Sequence, residues 1–424
     1  MIIKENKYHN CLLFASVMLI LIPPALISGP FLPDLFIVLI SLIFLLILNK
    51  HNQLSILKSH FFRLFIAFYI YLILTSVLSD NFYDSIKPSL TYVRFGLFSL
   101  AVLFILKNKK DFVRHFYLVM CLTLVILIFD GYFQFITGKN IFGFRDHLRP
   151  DRLSGLFFDE LILGSYLGKI LPIFCTFYIL NKKYSNKYYI FILILLIYIL
   201  IFLSGERSAF FTTTLYLIMI TPFLLGIKKT TILFIFIGMI FTVLISTNKN
   251  IKSRYVDQML MHTFQQTKNS STFMPDHIGL FASAIDIFKK NIIVGGGVKT
   301  FRINCKNTVN EKLTKLKVSI PNIVFCNTHP HNYYLQLLAE TGLVGFLFVF
   351  VIFIKLLFNY IKQIYNLIKN NKNIKSEYVT ILSGLIIYIW PLTTTGSFFN
   401  NWICSVLFLQ IGIYLYIIEN ETQN

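Results

Sequence analysis

Residues 188–226 read YYIFILILLIYILIFLSGERSAFFTTTLYLIMITPFLLG. Two apolar runs, 188–204 and 208–226, flank one short polar turn around Ser204-Gly205-Glu206-Arg207. Each run is close to the roughly 20 residues that carry a helix across a bilayer core. The pair therefore reads as a transmembrane hairpin. Lys182, Lys183 and Lys187 precede it, and Lys228 and Lys229 follow it. Positive residues gather on the cytoplasmic side of spans. The lysines are then inside, and the Ser204–Arg207 turn faces out.

Working outward, the same reading gives about twelve runs. Their limits are 11–29, 33–49, 62–79, 88–106, 113–136, 160–180, 188–204, 208–226, 230–247, 335–358, 377–396 and 400–418. The first is too long for a removed signal peptide and lacks a small-residue cleavage site. The expected fold class is an all-α polytopic membrane protein. It has about 12 transmembrane helices and one long periplasmic segment between helices 9 and 10. Residues 1–247 hold helices 1–9, 248–334 the loop segment, and 335–424 helices 10–12.

Composition points the same way. Hydrophobic residues make up 56% of the 424 and charged residues only 14%, against about 25% in a soluble domain. That excludes a soluble enzyme and a disordered chain. Six Cys are too few for a disulfide-dense scaffold. The 39 Lys+Arg against 19 Asp+Glu leave a formal charge of +20. Lys107, Lys109, Lys110 and Arg114, and the lysines from Lys355 to Lys375, mark further cytoplasmic loops. Both termini are expected in the cytoplasm. The outward loop 138–159 nevertheless carries Lys139, Arg145, Arg149 and Arg152, and the segment 247–334 is also basic. Such a surface suits lipid headgroups or an anionic substrate.

In the long segment, Ile278, Phe281, Ile285 and Phe288 fall on one face of a helix over 277–290. That predicts an interfacial helix on the membrane or on the bundle. Gly295-Gly296-Gly297 after it reads as a flexible turn. Cys305 and Cys326 are the outward pair outside the spans and are expected to form a disulfide. Cys326-Asn327-Thr328-His329-Pro330-His331-Asn332 follows. Thr328 reads as an N-cap, which puts His329 and His331 in a first helical turn. The helix dipole there disfavours a charged imidazole and favours a neutral ring able to act as general base. No third His lies nearby in sequence, so no metal site is expected. Charges at membrane depth are costly and usually functional. Lys169 lies mid-way along the sixth run, Arg94 a third into the fourth, and Arg207 at the outer end of the eighth. Arg94 can snorkel to headgroups. Arg207 can clamp a phosphate or pair with Glu206.

Several stretches now fall into an order: DGYFQFITG at 130–138, RLSG at 152–155, GSYL at 164–167, SGERSA at 204–209, residues 281–297, HNYYL at 331–335 and ETGLVG at 340–345. Together they resemble the O-antigen ligase and O-antigen polymerase superfamily of bacterial inner-membrane proteins. The resemblance implies transfer of a glycan from an undecaprenyl-pyrophosphate carrier to a sugar hydroxyl at the periplasmic face. Attack at C1 opposite the leaving group is expected to invert the anomeric centre, and with no acidic cluster on the outer side the reaction is expected to be metal-independent, with no cofactor. A ligase uses lipid A–core as acceptor; a polymerase extends the lipid-linked repeat. The His-Asn motif and helix layout resemble the ligase more closely. Carried over, His331 is the catalytic histidine and Arg207 the pyrophosphate-binding arginine, with His329 beside the first. His277 stands where the family often has Arg, so Arg152, Arg254 or Arg302 has to supply that charge if His277 does not. Lys169 and Arg94 complete the expected substrate-binding cations, and Glu340 is expected to orient a partner. Asp159 and Glu160 are rival bases. The expected partners are the lipid-linked glycan, its acceptor and membrane lipids, not nucleic acid. A lipid or solute transporter fits less well, because no repeat is visible and the candidate site is at one face.

Overall fold

The computed structural model describes residues 8–50, 54–109, 111–146, 149, 151–181, 187–257, 276–316, 326–369 and 374–422. Among these residues the secondary structure is helical, without strands. The helices are α1 (His9–Ala25), α2 (Phe31–Lys50), α3 (His60–Val77), α4 (Phe82–Thr91), α5 (Val93–Asn108), α6 (Phe112–Thr137), α7 (Leu163–Leu180), α8 (Lys187–Leu203), α9 (Arg207–Leu225), α10 (Ile227–Thr247), α11 (Asp276–Lys290), α12 (Phe301–Leu316), α13 (Tyr333–Ile368), α14 (Ser376–Tyr388) and α15 (Asn401–Thr422). Among the described residues ten stretches are long and apolar enough to cross a membrane, with α4 and α5 counted as one; α14 and residues 188–203 of α8 are shorter apolar helices. The protein is an all-α polytopic membrane protein. A helix suits that solvent because it satisfies its backbone polar groups internally.

Which faces meet lipid follows from the side chains. On α6, Leu118, Leu122, Val125, Phe129 and Ile136 form an exposed apolar stripe, at the spacing of one helix face. In contrast, α7 is buried along nearly its whole length, from Leu163 to Phe177. It packs against α6, α8, α9, α14 and α15. Small residues allow the closest approach. A Cβ on Gly164 would stand 2.5 Å from Ser204 Oγ, and one on Gly168 would stand 2.6 Å from Thr213 Oγ1. Glycines at such crossings let helix backbones draw together.

α13 runs for 36 residues, well beyond the expected 335–358, and breaks at Gly342 (φ 63°, ψ −165°). The Gly295-Gly296-Gly297 run docks on this break and is not a flexible turn. The Gly296 and Gly297 amides donate to the Ala339 and Glu340 carbonyls (both 2.9 Å), and the Leu343 amide donates to the Ile292 carbonyl (2.8 Å). A Cβ at Gly342 would lie 2.3 Å from the Ile293 carbonyl oxygen. Gly342→Ala therefore combines a left-handed backbone with a backbone clash. A loss of about 2–4 kcal/mol is expected, seen as a lower Tm in detergent. A wild-type Tm would show that the docking is slack.

α11 packs on the bundle through Leu280, Ala284 and Ile287, in a small core with Phe301, Cys305 and Ala339. Ile285, on the apolar face read from sequence as lying on the membrane or on the bundle, is exposed. The apolar residues of α11 occupy more than one stripe, and periodicity alone does not say which stripe the protein covers.

The eleventh run, read as 377–396, is helical only to Tyr388. Pro391 has no N–H and disfavours helix at the residue before it. The chain then passes through Thr393-Thr394-Thr395-Gly396 without regular structure. Irregular backbone at membrane depth is tolerated where protein or a cavity surrounds it. Here α13 satisfies it. Tyr334 Oη donates to the Ile389 carbonyl (2.8 Å), and Gln336 Oε1 accepts from the Phe398 amide (2.7 Å).

Candidate active site

The histidine segment enters this break. Asn332, not Thr328, is the N-cap of α13: its Oδ1 accepts from the Tyr334 and Leu335 amides (3.0 and 3.1 Å). Its Nδ2 donates to the Pro391 carbonyl at 2.8 Å. His331 has φ +55° and so precedes the helix. The expectation that both histidines sit in a first helical turn fails for that reason. The His331 carbonyl accepts the Thr395 amide at 2.8 Å, which latches the segment to the α14 break. The two rings lie 4.2 Å apart between centroids.

His329 is neutral at neutral pH, by a different cause from the one expected. Burial first, and the neighbouring His331 second, pull its pKa down to about 4, while the Thr395 backbone acts in the opposite direction. Its Nδ1 is 2.8 Å from Thr328 Oγ1. An unfolded histidine titrates near 6.5, so the folded value is depressed. Its contribution to stability is present above pH 6.5 and is lost as pH falls toward 4. His329→Gln should therefore show a smaller drop in Tm between pH 7 and 4.5 than the wild type. An equal drop would remove His329 as the cause.

Both histidines line a cavity of about 420 Å³, with Glu160, Ser165, Lys169, Glu206, Thr212, Tyr388 and the Thr393–Gly396 loop. Lys169 comes from α7, and its Nζ lies 5.5 Å from the centre of the Tyr388 ring. No carboxylate lies within ion-pairing distance of it among the described residues. Glu206, in the turn before α9, accepts from the Gly164 amide (2.7 Å), the Ser165 amide (3.1 Å) and the Ser165 hydroxyl. It thereby caps the start of α7. Burial pushes its carboxyl up, while Ser165, Arg152 and the two amides pull it down.

Arg152 stands behind the cavity wall. It donates through Nη2 to the carbonyl of Leu161, a lining residue, at 3.0 Å. Its Nε is buried without a hydrogen-bond partner among the described residues. Burial lowers its pKa most, Glu206 raises it, and Arg254 lowers it again. Arg254 donates to the Gly205 carbonyl at 3.0 Å, and Arg207 feels the charge of Arg254. Gly205 sits at φ +73°, a backbone that favours glycine, and a Cβ there would stand 3.1 Å from the Asp151 carbonyl oxygen and in ordinary contact with Arg152 Cγ and Arg254 Cγ. Three arginines thus converge on the Gly205 turn beside the cavity.

The residues singled out from sequence separate accordingly. His329, His331 and Lys169 meet in the cavity, and Arg152 and Arg207 gather at its side. Arg94 lies elsewhere, because Asp34 on α2 takes it as an ion pair at 2.9 Å. Glu340 also lies outside the lining. Its buried carboxylate accepts from the Lys299 amide (3.0 Å), the Phe301 amide (3.2 Å) and Gln336 Nε2 (3.0 Å), and so fixes the start of α12. His277 is the second residue of α11, and its side chain falls outside the described residues. Of the two rival acids, Glu160 lines the cavity and Asp159 does not. Cys305 and Cys326 are joined by a disulfide that ties α12 to the residue before Asn327. The Thr393–Gly396 loop was missed in the sequence; its signal was a Pro and a Thr triplet inside an apolar run.

Residues 190–350 match the family model described as O-antigen ligase. The superfamily read from the motifs is borne out by that match. Members of this family are ligases or glycosyltransferase-like enzymes. No curated protein matches the chain. The ligase-family stretch takes in the Glu206–Arg207 turn, Arg254 and both histidines. Lys169 and the Thr393–Gly396 loop lie outside it, yet line the same cavity, and Arg152 lies outside it behind the cavity wall.

Proposed function

We propose that the protein transfers a glycan from an undecaprenyl-pyrophosphate carrier to a sugar hydroxyl of lipid A–core, at the periplasmic face of the inner membrane. The observation that carries this reading is the convergence of a histidine pair and Lys169 in one cavity, with Arg152, Arg207 and Arg254 beside it. In the reaction the acceptor oxygen attacks C1 of the glycan and the C1–O bond to the pyrophosphate breaks. His331 takes the hydroxyl proton. Attack opposite the leaving group inverts the anomeric centre. Undecaprenyl pyrophosphate leaves with growing negative charge, and fixed cations stabilise that charge as it develops.

The test is a liposome assay with purified protein, lipid-linked glycan and lipid A–core. Glycan appearing on lipid A–core supports ligation. Longer lipid-linked glycan, formed whether or not lipid A–core is present, would assign the same chemistry to a polymerase. No new linkage in either assay would overturn the reading.

A further inference from the structure

Asn327 sits between the disulfide and the histidine pair, and its amide faces a ring nitrogen. Its Nδ2 is 3.0 Å from His331 Nε2. The amide orientation is fixed locally, because Oδ1 accepts the Thr328 backbone N–H at 2.7 Å. The NH₂ group therefore points at the ring. An NH₂ group has only hydrogens to offer, so Nε2 must present its lone pair. The neutral ring then carries its proton on Nδ1. Cys326, the residue before Asn327, is tied to Cys305 on α12, which restrains the backbone that carries the amide.

We propose that Asn327 is a positioning residue that holds His331 in the tautomer with its proton on Nδ1 and its lone pair on Nε2. This rests on the reading of His331 as the base. A donor aimed at the lone pair favours the unprotonated ring, and opposes proton uptake until the acceptor hydroxyl takes the donor's place. The amide thus keeps the base ready and protected from idle protonation.

Other groups also act on His331. His329 has its ring 4.2 Å away. Glu160 and Lys169 line the cavity from the loop before α7 and from α7, Glu206 from the turn before α9, and Tyr388 from α14. Substituting Asn327 leaves all of these in place, so a difference between variants isolates the amide.

The experiment is the pH dependence of kcat/KM for glycan transfer by the full chain in liposomes. Asn327→Ala removes the donor, so the acidic limb should move up by about half to one pH unit. Asn327→Asp puts an anion beside Nε2 and should move it further, by about one to two units. A merely structural role would lower the rate without moving the limb. An unmoved limb in either variant, or loss of transfer at every pH in both, overturns the assignment. His331→Ala run alongside keeps the two ideas apart: wild-type transfer by that variant sinks the parent reading instead.

Discussion

His331→Ala should lose transfer by about 10²–10⁴-fold, the usual size of a general-base contribution. The argument is geometric. His331 lines the cavity that also holds Lys169 and lies beside the three arginines. Its backbone is latched by the Thr395 amide, and this bond does not depend on the side chain. The N-cap of α13 is supplied by Asn332, so removing the imidazole leaves the helix start intact. Expression and Tm should then stay near wild type while the rate collapses. His329 sits at a similar depth, but its pKa near 4 makes it a weak proton acceptor. His329→Gln should therefore cost much less than His331→Ala. The reverse order of effects would exchange the two roles.

Arg152→Gln should lower kcat/KM by about 10²–10³-fold, the scale for removing one preorganised group that stabilises transition-state charge. Arg152 is placed by its bond to the Leu161 carbonyl and keeps a buried Nε without a partner among the described residues. A buried guanidinium donor without an acceptor is costly, and the guanidinium charge reaches the cavity wall, since it acts on the lining residue Glu206. Gln keeps a donor for Leu161 and loses the charge. If the pyrophosphate is held mainly in the transition state, kcat falls with little change in KM; uniform binding would raise KM alone. Arg152→Gln with wild-type kcat/KM would exclude Arg152 from the reaction.

The fold was legible because a bilayer demands long apolar helices, and those need no tertiary information to recognise. Each of the twelve apolar runs corresponds to a helix or helix pair. What sequence reading missed was where the helices stop. α14 ends at Tyr388 because of Pro391, and the broken backbone becomes cavity wall. Sequence alone reads Arg94 as a charge at membrane depth, where charges are usually functional, and Glu340 as a residue that orients a partner; both lie outside the cavity lining. Asp34 absorbs the first, and the backbone amides of Lys299 and Phe301 absorb the second. Those partners are 60 and about 40 residues away in sequence, so no local pattern reveals them. The histidines were found by their motif, but their environment was not. Burial, not a helix terminus, keeps His329 neutral.

The most direct test of a single site for base and leaving group is to follow both products at once. Liposomes containing the protein are given labelled lipid-linked glycan and lipid A–core, and glycan transferred and undecaprenyl pyrophosphate released are counted together. Wild type should give the two in equal amounts, and His331→Ala should give neither. Equal rates for the two proteins, or glycan transfer without release of the pyrophosphate carrier, would contradict the account.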